Sequence, residues 1–139
     1  MALPIVTAAN GVQFARIAPG GVVILAAAAL VSADTGLCLL ITCGTEAHGP
    51  TDPHTLGEAY DFGVLGWDVA TLKGVLASFD RAWQTLGVTG KFYALYERPD
   101  QPPDGFSGVP NLYVNPQATG PHLHIQRAIH TTYPPVQGA

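Results

Sequence analysis

The chain has 139 residues, a formal net charge of −4 and six Lys plus Arg, with 47% hydrophobic and 12% charged residues. That length fits one domain over 1–139 with a single core, and the cations, scattered singly from Arg16 to Arg127, form no basic stripe of the kind that binding a nucleic-acid backbone requires. The longest apolar run, VVILAAAALV at 22–31, is about half of what crosses a bilayer, so no membrane span is expected.

The first twenty residues carry weak signals and end in APGG, which reads as loop punctuation. They lack a basic segment leading into an apolar stretch and a small-residue cleavage site, so no secretory signal peptide is expected and synthesis is expected in the cytoplasm. VVILAAAALVSAD then has the alanines and leucines of a buried helix, stopped by Thr35-Gly36. LCLLITC at 37–43 is short and apolar, as a central strand is. Cys38 and Cys43 lie five positions apart on it and would face opposite ways. Both are expected to be small buried hydrophobes rather than redox or ligand groups.

GTEAHGPTDPHTLG at 44–57 is polar and rich in proline and glycine, which predicts a long loop of the functional kind. EAYDFGV follows as a strand with Ala59, Asp61 and Gly63 on one face, and Tyr60, Phe62 and Val64 on the other. Asp68 is the N-cap of a predicted helix running to about Leu86. Its stripe of Val69, Leu72, Leu76, Phe79, Trp83 and Leu86 faces a core, and Gly87 closes it. KFYALYE at 91–97 reads as a strand, and the proline-rich segment 98–121 as a second long loop. PHLHIQR at 121–127 alternates, placing His122, His124 and Gln126 on one face, and Leu123 and Ile125 on the other. The tail looks irregular. The pattern is α+β, with helices on one side of a mostly antiparallel sheet.

With only five histidines in the chain, their placement carries the chemistry. A catalytic zinc takes three ligands from His, Asp or Glu and leaves a fourth position for water, and His54, Asp61 and His124 supply such a trio. Gly57 lets the backbone turn from loop to strand, and Asp61 then projects from a rigid element. His122, two residues before His124, shares its face, and an imidazole is the side chain suited without large perturbation to carry a proton beside a metal-activated water.

Together, HTLGEAYDF and PHLHIQ resemble motifs of the zinc peptidases of the D-alanyl-D-alanine carboxypeptidase and L-alanyl-D-glutamate endopeptidase group, which includes phage and prophage endolysin domains. That group shares its metal site with hedgehog signalling domains and lysostaphin-type endopeptidases. Its motif of a histidine and an aspartate seven positions apart around G-x-A-x-D corresponds here to His54, Gly57, Ala59 and Asp61, and its H-x-H ligand to His124. LLITCGTEAH is similar to the family strand ending in a T-S-G-like turn, with Cys43 where serine is common.

The resemblance covers about 35–127 and implies a hedgehog/D-Ala-D-Ala peptidase-like fold and Zn2+ as cofactor. It further implies hydrolysis of an amide in the peptidoglycan stem peptide at the cell wall, with His122 or Glu97 as the base and His48 as a cleft residue contacting substrate. Asp52 stands where family members often have serine, and no arginine lies between 17 and 80, where many have one for a substrate carboxylate. The competing expectation is a non-catalytic, metal-stabilised binding or virion module of the same fold.

Overall fold

The computed structural model describes residues 6–15, 17–46, 49, 52–64, 66–87, 91–97, 112–114 and 122–128, with the backbone alone described for 91–97, 112–114 and 127–128. In chain order the elements are β1 (Val6–Ala8), α1 (Pro19–Thr35), β2 (Leu39–Cys43), β3 (Ala59–Gly63), α2 (Val69–Thr85), β4 (Lys91–Glu97), β5 (Leu112–Val114) and β6 (His122–Ala128). The strands form one sheet in the order β1-β2-β3-β6-β4-β5. The class is α+β as expected, but the sheet is mixed. The central pairings β2–β3, β3–β6 and β4–β6 are antiparallel, while both outer pairs, β1–β2 and β4–β5, are parallel.

Those parallel edges come from two short strands that sequence periodicity does not reveal. β1 lies in the weakly patterned first twenty residues and β5 in the segment read as one long loop. Three residues cannot display an alternation, so only pairing to a neighbour defines such strands.

α1 starts at Pro19, earlier than the apolar run suggests. Its N-terminus takes in the Pro-Gly-Gly read as a loop, because proline at the first helical position gives up an N–H that has no partner there in any case. The helix ends at Gly36, whose φ of 74° puts it in the left-handed region and whose N–H returns to the Ser32 carbonyl. Its buried stripe, Gly20, Gly21, Ile24, Ala27, Ala28, Val31 and Ser32, is made mostly of small residues. The backbone can therefore approach the sheet closely, while Val22 and Leu30 remain exposed on the other side.

α2 agrees closely with its sequence signals. Asp68 caps it by accepting from the Thr71 N–H at 2.7 Å, and Leu72, Val75, Leu76, Phe79, Ala82 and Trp83 are buried. Leu86, predicted to complete the stripe, is exposed because it lies past the last turn. The two helices are also linked at the surface, where Asp34 accepts from Ser78 and Arg81 at 2.6 Å each.

Both helices join one apolar core with Leu39 and Ile41 of β2, Tyr60 and Phe62 of β3, and Leu123 and Ile125 of β6. Phe62 meets Phe79 edge to face, with ring centroids 5.9 Å apart. Alternation then turns Asp61, His122, His124 and Gln126 to the opposite face of the sheet. Among the described residues no helix is long and apolar enough to cross a membrane.

Candidate metal centre

The face of the sheet turned away from the helices carries the polar cluster. β3 and β6 pair antiparallel with Asp61 opposite His124 and Gly63 opposite His122, a register that sets the aspartate and the second histidine side by side. The loop before β3 folds over them. It makes a helical turn with Leu56 N–H to the Asp52 carbonyl at 3.0 Å and Glu58 N–H to the Pro53 carbonyl at 2.9 Å. The Asp52 carboxylate caps this turn by accepting from the His54 N–H at 2.9 Å.

Gly57 ends the turn with φ 74°. Its carbonyl accepts from Ala18 at the start of α1, and a Cβ added to Gly21 would sit 2.1 Å from that same oxygen. The bare backbone of Gly21, missed in the sequence, is thus what allows the histidine loop to lie against α1.

The outcome is a tight triangle of donor atoms. His54 Nε2 lies 3.1 Å from His124 Nδ1 and 3.1 Å from Asp61 Oδ1, and His124 Nδ1 lies 3.0 Å from that oxygen. The two rings meet edge to face at 4.9 Å. All three residues are buried, at 3% exposure for His54, 7% for Asp61 and 9% for His124. Metal–ligand bonds of about 2.0–2.1 Å in a tetrahedron would set such donors about 3.3–3.4 Å apart. The observed spacing is a few tenths of an ångström shorter.

The chemistry of the donor set also fits a cation. His124 Nε2 lies 2.8 Å from Gln126 Oε1, and with that ring nitrogen as the donor, the Nδ1 of a neutral ring directs a lone pair at the carboxylate and at His54. Two or three lone pairs held this close need a proton or a metal ion between them. With the imidazoles protonated and no ion bound, burial opposes ionisation of Asp61, but the hydrogen bonds and charge of His124 and His54 outweigh it and hold the carboxyl well below the ordinary range.

Cys43 borders this centre and is only partly buried, which departs from its reading as a small buried hydrophobe. Its Sγ and donor atoms of His54 and Asp61 all lie within 4.8 Å of one another, a grouping that could hold a metal ion. The cause is a bulge: Ile41 pairs with Phe62 but Cys43 with Asp61, so two steps along β2 match one along β3 and Cys43 turns to the polar face. Burial pushes its thiol up to about 12, assisted by a hydrogen bond to Glu46 and by the nearby charge of Asp61. Cys38, expected on the same strand, precedes β2 and is exposed.

His122 borders the cluster, half-buried, with Nε2 3.5 Å from Asp61 Oδ2. Asp61 thus turns one oxygen to His54 and His124 and the other toward His122. Glu97 stands opposite His122 in the β4–β6 register, and its side chain lies outside the described residues, as does the whole of His48. Of the residues singled out in the sequence, His54, Asp61, His122 and His124 are brought together. Gln126 was legible as a residue sharing their face; Cys43 was not, because a bulge leaves no mark in the pattern. No protein-family model, no curated protein and no solved structure matches this chain.

Proposed function

We propose that the chain is a zinc-dependent peptidase of the D-Ala-D-Ala/L-Ala-D-Glu, hedgehog-like type, hydrolysing an amide bond of the peptidoglycan stem peptide. The observation that carries this reading is the mutual approach, at 3.0–3.1 Å, of His54 Nε2, His124 Nδ1 and Asp61 Oδ1. The stem-peptide substrate rests on the motif resemblance, and the cell wall would be the place of action. Zinc held by these three donors would supply Lewis acidity to a water and to the scissile carbonyl.

The chain's own groups have distinct tasks in this reading. His54, Asp61 and His124 hold the ion. Gln126 accepts from His124 Nε2 and so presents Nδ1 as the donor. Asp61 anchors His122 at its second oxygen, where the imidazole can take a proton from the attacking water and return it to the leaving amine. Glu97, opposite His122 in register, is the other candidate for that proton. Asp52 does what a serine at its position could also do, accepting from the His54 N–H to fix the turn.

The test is metal analysis of the purified protein together with cleavage of purified muropeptides, for wild type and His124→Ala. Zinc bound at one equivalent, with cleavage lost in the variant, is expected; wild-type protein that takes up no zinc sinks the reading. A second reading, a metal-stabilised module without turnover, is favoured by the nearness of Cys43, because structural zinc sites are closed by four protein ligands. His122→Ala separates the two. Metal retained with cleavage lost supports a peptidase, and no cleavage by wild type in the presence of bound zinc supports the module.

A further inference from the structure

The thiol of Cys43 has no place in a three-ligand centre that leaves its fourth position to water, yet the fold directs it there. Four separate segments meet over Asp61: β2 brings Cys43, the capped turn at 52–57 brings His54, β3 brings Asp61 itself and β6 brings His124. Cys43 and Asp61 are cross-strand partners, so their separation is set by backbone pairing and not by a long flexible side chain. Donor atoms of Cys43, His54 and Asp61 all lie within 4.8 Å of one another, so the sulfur borders the space that an ion among these donors would fill. Two imidazoles, one carboxylate and one thiolate make a complete tetrahedral set.

We propose that Cys43 is the fourth protein donor of this centre, so that the substrate-free site is closed by sulfur and the peptidase is latent until that sulfur moves aside. This inference rests on the metal-centre reading above and adds its regulation. As the sulfur–metal bond forms, the S–H proton leaves to solvent, with the Glu46 carboxylate, already its hydrogen-bond acceptor, beside it. A sulfur donor also biases the site toward zinc and cobalt and away from the hard cations magnesium and manganese.

Cobalt(II) titration tests this on the full chain carrying Cys38→Ser, which removes the exposed second thiol. The expected result is one equivalent of cobalt bound, with intense tetrahedral d–d bands and a thiolate-to-cobalt charge-transfer band in the near ultraviolet. Adding Cys43→Ser should abolish the charge-transfer band, keep cobalt bound through the other three donors and increase muropeptide cleavage. A parallel measurement follows alkylation of Cys43 by iodoacetamide, which bound zinc should slow. Cobalt bound with d–d bands but no sulfur band, or alkylation at the same rate with and without zinc, overturns the role of Cys43 and leaves the three-ligand centre standing. Failure to bind cobalt or zinc at all overturns both.

Discussion

At their centre the two faces of β3 and β6 are both buried, yet they are held by different physics. Toward the helices stand Tyr60, Phe62, Leu123 and Ile125, each at most 1% exposed; away from them stand Asp61 and His124, at 7% and 9%. Each large apolar side chain gains about 1.5–3 kcal/mol from leaving water, with little demand on orientation. A hydrogen bond on the other face contributes about 0.5–1.5 kcal/mol net and depends closely on angle and distance. The helix face therefore supplies stability and tolerates shape-conserving exchange, whereas the other face carries the candidate metal donors and depends on fixed positions.

Substitutions can break that division, beginning with the largest effect. Phe62→Ala should cost about 3–5 kcal/mol in urea denaturation, by opening a cavity against Phe79. The folded fraction should still bind one metal ion; loss of binding there would mean that the two faces are not separable. His124→Ala should remove metal binding altogether. Zinc at one hundred times its Kd stabilises a folded chain by about 2.7 kcal/mol, so a chelator should lower the melting temperature of wild type and leave that of the variant unchanged.

Smaller effects sharpen the comparison. Gln126→Leu should weaken zinc binding about 10–100-fold, measured by competition with a chromogenic chelator, because His124 loses the acceptor that fixes its tautomer. Gln126→Glu should restore most of the affinity. At the start of α2, apart from the polar face in role, Asp68→Ala should cost about 1 kcal/mol through loss of the Thr71 cap, with zinc affinity unchanged.

The smallest expected effect is a pH dependence. Burial works against the Glu46 charge, but backbone N–H groups of Gln13 and Gly44 outweigh it, so the folded carboxyl ionises at lower pH than an unfolded one. Its contribution is therefore present above the ordinary glutamate range and is lost as pH falls through the folded value. Urea midpoints of wild type and Glu46→Gln should differ most at neutral pH and converge toward acid; a gap that is constant with pH would count against it.

Long, regular features were legible in the residues themselves. Asp68 and Gly87 bracket α2 as expected, and the alternation in PHLHIQR separates Leu123 and Ile125 from His122, His124 and Gln126 over one strand. What escaped were features defined by a partner. β1 and β5 are too short to show a period, and the start of α1 is hidden because Pro-Gly-Gly serves a loop or a first helical turn equally well. Gly21 matters only because Gly57 lies against it.

The sequence by itself determined which groups can act: two imidazoles and a carboxylate at spacings that suit a metal, on strands whose other face is apolar. Local chemistry suffices for that, since alternation, caps and left-handed glycines depend on neighbours a few positions away. The tertiary structure decided which groups meet. Asp61 and His124 touch because β3 pairs with β6 in one register, and Cys43 joins them because a bulge shifts β2 against β3. Both depend on hydrogen bonds between segments far apart in the chain, and a change of one residue in such pairing turns a side chain from one face of the sheet to the other.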